Sequence, residues 1–136
     1  MLSLIPFQTT LTSLEKISTE TSLPNDIIID ASMRRFKLTI KICIMTLRAF
    51  FKKNGIKIRK SQNIITEATK ADLIKDLDFW LTMFTNYRNI KKNYDDKVAQ
   101  EIFINLSTYI PELRNVFNQI KTKLLPKLKL LTDENL

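Results

Sequence analysis

The sequence predicts an all-α protein, and three observations carry this prediction. The chain has one glycine among 136 residues, which disfavours the tight turns that sheet proteins need. Apolar residues recur at spacings of three and four over long stretches, which is typical of helices packed in a bundle. With 44% hydrophobic and 26% charged residues, the chain is neither disordered nor membrane-like. We therefore expect an antiparallel bundle of four to five helices, forming a single domain over residues 1–136 with its core at about 7–124.

The N-terminal half predicts two helices. A first helix of about residues 6–20 places four apolar residues on one face: Phe7, Leu11, Leu14 and Ile17. The second helix follows Pro24 and ends at Asn54 and Gly55, a helix C-terminal signal. Its buried stripe alternates spacings of four and three: Ile29, Met33, Phe36, Ile40, Cys43, Leu47 and Phe50.

Three further helices follow. Ser61 is a candidate cap for a short third helix ending near Ala71, and Asp76 is a candidate cap for a fourth that reaches Lys92. Their inward residues are Ile64, Ile65 and Ala68 on the third helix, and Leu77, Trp80, Leu81 and Phe84 on the fourth. The predicted buried residues of the fifth helix are Val98, Ile102, Leu106, Tyr109, Leu113, Phe117, Ile120 and Leu124. Asp95 and Asp96 suit its start.

Two prolines are expected to disturb the fifth helix. Pro111 lacks a backbone N–H and clashes with the preceding turn, so a kink or break is expected near Tyr109. Pro126 is expected to mark the fading end of the helix, followed by a frayed tail over residues 132–136.

The composition excludes several kinds of chemistry. The chain has no histidine and one cysteine, which removes Cys/His metal sites, histidine general bases and histidine-dependent triads. We expect neither a metal nor a cofactor. Cys43 lies on the heptad stripe and is interpreted as an inert small hydrophobe, and Trp80 as a core anchor.

The N-terminus and the cysteine content favour the cytoplasm. The opening residues M-L-S-L-I-P-F lack a basic region and a small-residue cleavage site. No apolar run approaches the roughly 18 residues that a membrane span requires. A lone cysteine cannot form an internal disulfide, which suits a reducing compartment.

The net charge of +8 is concentrated in one segment. Residues 34–60 contain ten basic residues and no acidic one: Arg34, Arg35, Lys37, Lys41, Arg48, Lys52, Lys53, Lys57, Arg59 and Lys60. Such a field favours an anionic partner such as RNA, a nucleotide or an acidic protein surface, although a solvated helix face is the alternative.

Arg88 raises the main functional question. It falls four residues after Phe84, on the stripe that the fourth helix would use to bury itself. The guanidinium could simply extend to water from the edge of the core, or it could grip phosphate in a cleft. Lys91 and Lys92 extend the positive surface toward Arg88 and favour the second interpretation.

The order of these features resembles the nucleotidyltransferase substrate-binding-protein family. The residues that carry the resemblance are R-F-K-L-T-I-K and F-F-K-K-N-G-I in the second helix, E-A-T-K-A-D-L-I in the third, and W-L-T-M-F with R-N and N-Y-D around the fourth. The resemblance covers about residues 7–124. It implies a bundle of the HEPN superfamily that pairs into a homodimer and binds a minimal nucleotidyltransferase encoded nearby.

The resemblance also implies a site. HepT-like toxins of the superfamily cleave RNA with an R-x4-6-H motif at the dimer cleft, and a tyrosine just beyond the histidine is adenylylated by the partner. Here Arg88 and Asn89 match the start of the motif, Asn93 stands near the place of the missing histidine, and Tyr94 is the candidate for modification. A neutral amide cannot titrate near pH 7, so we expect absent or weak RNase activity.

The leading hypothesis is therefore a dimeric binding partner of a minimal nucleotidyltransferase, in a toxin-antitoxin-like pair with a degenerate RNase site. The alternatives are an active RNase that uses Arg88 with Asn93 or Tyr94, and a basic RNA-binding helical protein. The family often has acidic residues where this chain has Lys37 and Lys41, so a partner contact could be altered. The candidate binding residues are Asn89, Arg34, Arg35, Lys37, Lys41, Lys91 and Lys92.

Overall fold

The computed structural model describes the backbone of residues 2–134 and the side chains of residues 2–124. Five helices follow one another in this part of the chain, with no strand between them. They are α1 (Ile5–Ser18), α2 (Asn25–Lys53), α3 (Ser61–Lys70), α4 (Leu77–Lys92) and α5 (Asp96–Glu134). The prediction of an all-α chain of four to five helices is confirmed.

The long helices pack as antiparallel neighbours around one apolar cluster. Between α1 and α2, the Thr39 hydroxyl donates to the carbonyl of Thr10 over 3.2 Å. Between α4 and α5, the Asn86 side-chain amide donates to the Tyr109 hydroxyl over 3.0 Å. Arg114 pairs with Glu15 and so joins α5 to α1. These contacts fix the order of the helices around the core.

The predicted buried residues largely form that core. Trp80 is 1% exposed and its Nε1 donates to Glu112 Oε2 over 3.3 Å, which confirms it as a core anchor. Cys43 is fully buried, and burial raises the pKa of its thiol. Five of the predicted stripe residues are only half-buried: Ile29, Leu77, Leu81, Val98 and Leu124.

The predicted cap of α4 is confirmed and that of α3 is wrong. Asp76 precedes α4, and its Oδ1 accepts a hydrogen bond from the Phe79 amide over 3.1 Å. Ser61 is already the first residue of α3, one position too late to cap it, and Lys60 at the cap position makes no side-chain capping bond. The Ser61 hydroxyl accepts a hydrogen bond from Arg48 instead.

The break predicted at Pro111 is not found, whereas a kink near Tyr109 stays a prediction. Helix α5 continues through Pro111, because this residue and Ser107, whose carbonyl loses its helical donor, are both exposed to water. The sequence predicts that the helix fades at Pro126, but the helix continues to Glu134. The predicted frayed tail falls partly on residues 135–136, which lie outside the described residues.

At the end of α2 the predicted stop signal is confirmed. The helix ends at Lys53, Asn54 follows as its C-cap, and Gly55 adopts a φ of 83°. This left-handed conformation suits glycine, which has no Cβ to clash. The reversal returns the chain toward α2 and leads to the start of α3, where a groove opens.

Candidate functional site

An open groove of about 1110 Å³ lies between the C-terminal half of α2, the start of α3 and the C-terminal half of α4. We call it the basic groove, because six of its lining residues are cationic: Lys41, Arg48, Lys60, Arg88, Lys91 and Lys92. Its other lining residues are Ile44, Met45, Ser61, Gln62, Phe84, Thr85, Tyr87 and Asn89. None of these lining residues, all in the described part of the chain, is acidic.

Helix α2 contributes to the groove through its outer face. Lys41, Met45 and Arg48 are spaced by four and three residues and so lie on one side of the helix. Their neighbours Cys43 and Leu47 are fully buried on the other side. The same helix therefore anchors the core with one stripe and lines the groove with another.

Helix α4 contributes its last two turns. Arg88 stands 5.9 Å from the centroid of the Phe84 ring, and Lys91 Nζ stands 5.7 Å from that of Tyr87. The two rings stack with centroids 5.7 Å apart. Cations over aromatic faces are favoured by roughly 0.5–1 kcal/mol at exposed sites. The aromatic pair thus forms a platform on which both cations are held at the groove.

Arg88 does not lie on the buried stripe of α4. The stripe continues instead through Met83, Tyr87 and Ile90, each 7% exposed or less, while Arg88 is exposed beside it. Three core positions outside the predicted stripe, Met83, Tyr87 and Ile90, explain the difference, because they rotate the buried face away from Arg88. The guanidinium is therefore available to a ligand in the groove.

Arg48 connects the groove to the loop before α3. Its Nε donates to the Ile58 carbonyl over 3.4 Å, and its Nη2 donates to the Arg59 carbonyl over 3.3 Å and to Ser61 Oγ over 3.2 Å. The guanidinium fork suits several acceptors at once. Arg48 and Lys60 belong to the basic segment of the sequence, but no local signal predicts that they line the site.

The groove brings together five of the predicted site residues: Lys41, Arg88, Asn89, Lys91 and Lys92. Arg34, Arg35 and Lys37 are not among its lining residues. Arg35 Nη1 donates to the Ser13 carbonyl over 2.9 Å, which ties α2 to α1. The basic segment is therefore divided between a groove and a helix-joining contact.

Asn93 and Tyr94 also lie outside the lining of the groove. Asn93 is the exposed C-cap of α4, and its backbone amide donates to the Asn89 carbonyl. Tyr94 is 46% exposed, and its hydroxyl donates to Asp30 Oδ1 over 2.9 Å. Partial burial and the hydrogen bond to Asp30 raise the pKa of Tyr94 to about 12. Sequence reasoning missed Asp30, because no local signal marks a partner 64 residues away.

The two acids after Tyr94 have the structural role expected of them. Asp95 Oδ1 accepts a hydrogen bond from the Lys97 amide over 2.7 Å, and Asp96 lies in the first turn of α5. Both carboxylates therefore lie at the N-terminal end of α5, where the helix dipole stabilises negative charge.

The groove is chemically suited to binding. Lysine and arginine are ordinarily cations at neutral pH, and neutral asparagine, serine and threonine do not accept protons there. Among the described residues, no three Asp, Glu, Cys or His side chains come together in a way that could hold a metal ion. No described helix is long and apolar enough to cross a membrane. The groove therefore offers a positive field and hydrogen-bond donors for an anion.

Comparisons with known proteins agree with this fold. A crystal structure of a protein from Thermus thermophilus superposes with a TM-score of 0.75 at 21% sequence identity, covering 84% of this chain and 98% of that one. At this identity the likeness shows the fold alone. No curated protein matches the sequence. A family model described as nucleotidyltransferase substrate binding protein like matches residues 2–122. The chain therefore belongs to the family of nucleotidyltransferase substrate-binding-protein-like proteins.

Proposed function

We propose that this chain is a binding subunit that holds a phosphate-bearing substrate, single-stranded RNA, for a minimal nucleotidyltransferase encoded nearby. Family membership supports the role of a nucleotidyltransferase's binding partner. The observation that carries the choice of ligand is the basic groove, with six cationic lining residues and no acidic one among them. Lysine and arginine side chains grouped in this way attract phosphates and release counterions when they bind them.

The dimensions of the groove favour a short run of phosphates. Arg88 and Lys92 both line the groove and are four residues apart on α4, which corresponds to roughly 6 Å along a helix. The volume of about 1110 Å³ slightly exceeds the range of about 300–1,000 Å³ typical of small-molecule pockets. An open basic groove of this size suits the backbone of a single strand better than an isolated nucleotide.

Copurification tests the partnership. The nucleotidyltransferase from the neighbouring reading frame is co-expressed with this chain carrying an affinity tag. We expect the two to elute together in gel filtration, in a stable stoichiometry. Elution of two separate species at micromolar concentration would overturn the partnership. The matched control is an unrelated nucleotidyltransferase expressed from the same vector.

We further propose that the RNase site of the HEPN superfamily is degenerate in this chain. Asn93 cannot exchange protons near pH 7, and the lining of the basic groove includes neither Asn93 nor Tyr94. In a toxin-antitoxin-like pair, this chain would then bind RNA without cleaving it efficiently. We expect induction of the chain alone to leave growth unchanged. Growth arrest that disappears with Arg88→Ala would instead support the active RNase.

The homodimer implied by the family resemblance is part of the proposal. The chain has a mass of 15.9 kDa, so sedimentation equilibrium is expected to give about twice that value. A molecular mass that stays at 15.9 kDa at high micromolar concentration would contradict the dimer.

Tyr94 is proposed as the residue that the partner adenylylates. Its side chain is 46% exposed, which leaves the ring accessible, and Asp30 Oδ1 accepts a hydrogen bond from its hydroxyl. After incubation with the partner and ATP, we expect mass spectrometry to find adenylate on Tyr94, and none on a Tyr94→Phe variant. An unmodified Tyr94, with the partner shown to be active, would refute this role.

A second candidate is an RNA-binding protein that acts without the nucleotidyltransferase. The cationic surface favours it, because the groove alone supplies the charges that RNA needs. The two candidates differ in the copurification experiment: the second predicts RNA binding without any association with the nucleotidyltransferase.

A further inference from the structure

Arg48 occupies an unusual position among the cations of the basic groove. It lines the groove, yet its guanidinium is already engaged with two backbone carbonyls and one hydroxyl of the segment that leads into α3. Its side chain is half-buried, whereas the Lys60 and Arg88 side chains are exposed. The Nε and Nη2 donors of Arg48 are engaged by protein acceptors, so they are less available to a phosphate than the donors of a cation that faces water.

The three acceptors of Arg48 lie in one short segment. Ile58 and Arg59 precede the α3 N-cap residue Lys60, and Ser61 is the first residue of the helix. Lys60, Ser61 and the next residue, Gln62, all line the groove. One side chain of α2 thus holds the backbone before Lys60 and the Ser61 side chain after it, which determines the position of this wall of the groove.

We infer that Arg48 is a positioning residue: it holds Lys60 and the first turn of α3 at the groove, and it does not itself bind the phosphates. The inference rests on the proposed function only for the identity of the ligand. Its physical basis is the planar fork of the guanidinium, which can satisfy several acceptors in fixed directions. A lysine ammonium at the same place keeps the charge but cannot reproduce that geometry.

The decisive variant is therefore Arg48→Lys, with Arg34→Lys as the matched control. Arg34 is exposed on the same helix and is not among the lining residues of the groove. The affinity of the full chain for a fluorescein-labelled oligouridylate is measured by anisotropy over a range of salt concentrations. We expect Arg48→Lys to weaken binding about as much as Lys60→Gln does, and Arg34→Lys to bind like the wild type. Binding by Arg48→Lys at wild-type affinity would overturn the inference.

Double variants separate positioning from direct contact. Each phosphate contact with a single strand adds about 0.7 to the slope of log affinity against log salt. If Arg48 acts through Lys60, the double variant R48K/K60Q lowers the slope of log affinity against log salt by about 0.7, which is no more than K60Q alone lowers it. The pair R48K/R88Q loses about twice that, because Arg88 lies on another helix. An R48K/K60Q loss equal to the sum of two independent single losses would contradict the inference.

Limited proteolysis tests the same inference without any ligand. The segment held by Arg48 contains trypsin sites at Lys57, Arg59 and Lys60. We expect trypsin to cut there several-fold faster in Arg48→Lys than in Arg34→Lys, with both variants equally helical by circular dichroism. Equal cutting rates would refute the positioning role. A wild-type chain that shows this protection but binds no oligouridylate would refute the proposed ligand alone.

Discussion

The Tyr94 hydroxyl donates a hydrogen bond to Asp30 Oδ1 over 2.9 Å and so joins the α4–α5 connection to the start of α2. Partial burial, followed by this bond and the negative charge of Asp30, raises the pKa of Tyr94 to about 12. The neutral phenol is the form that the fold favours, because ionisation would place a second negative charge beside the carboxylate.

Replacement of Asp30 by Asn is expected to lower the pKa of Tyr94 part of the way toward its ordinary value of about 10. Spectroscopic titration of the tyrosinate band measures the shift, and Tyr94→Phe identifies which of the three tyrosines is responsible. An unchanged titration curve in Asp30→Asn would contradict the role of the carboxylate.

The same bond predicts how stability depends on pH at the alkaline end. Because the pKa of Tyr94 is higher in the folded state, the protonated phenol contributes fully to the unfolding free energy below about pH 10. This contribution is lost as the pH rises toward about 12. We expect the difference in unfolding free energy between the wild type and Tyr94→Phe to shrink across this interval. Urea unfolding at several pH values checks it, and a constant difference would be evidence against the bond.

The buried pair of Asn86 and Tyr109 predicts an asymmetric effect of mutation. Tyr109→Phe leaves the Asn86 amide, 8% exposed, without the hydroxyl that accepts its hydrogen bond, at a cost of about 1–3 kcal/mol. The double variant N86L/Y109F removes both polar groups and is expected to recover part of that loss. Denaturant unfolding measures both free energies. A double variant that loses the sum of the single losses would count against this pairing.

Two residues with positive φ are expected to respond in opposite directions. Gly55 has a φ of 83°, and a Cβ placed there would meet nothing within 4 Å, so Gly55→Ala carries only the backbone cost of about 1–2 kcal/mol. Asp72 has a φ of 60°, so Asp72→Gly is expected to leave stability unchanged or raise it. Thermal unfolding of both variants checks the signs, and stabilisation by Gly55→Ala would be the contrary result.

The caps of α3 and α4 give a matched comparison. Asp76→Ala removes a capping bond and is expected to cost about 0.5–2 kcal/mol. Ser61→Ala removes no cap, because the Ser61 hydroxyl accepts from Arg48 and lies inside the helix. We expect the smaller loss from Ser61→Ala by denaturant unfolding. A larger loss there than in Asp76→Ala would contradict the helix start described here.

The sequence predicts the helices well, because their boundaries and buried stripes depend on local spacing. Phe36, Cys43 and Leu47 on α2 illustrate this, since each was expected in the core and is buried there. The sequence does not determine the orientation of α4, because two neighbouring helical stripes both fit the residues Leu77, Trp80, Leu81 and Phe84. Only packing against α2 and α5 decides which stripe is buried.

The site is harder to predict than the helices for a physical reason. The basic groove combines residues 41–48, 60–62 and 84–92, which are far apart in sequence and meet through packing. The hydrogen bonds of Arg48 to the residues before α3 have no signature in local periodicity. The sequence could therefore indicate a basic segment and Arg88, but not the groove in which Arg48, Lys60 and Arg88 come together.

Ultraviolet crosslinking of single-stranded RNA to the full chain, followed by mass spectrometry of the peptides, tests the basic groove most directly. If the groove holds the RNA, crosslinked peptides will contain residues 41–48 or 84–92, and crosslinking will fall in Arg88→Gln but not in Arg34→Gln. Crosslinks confined to peptides outside the groove, or equally abundant in both variants, would contradict it.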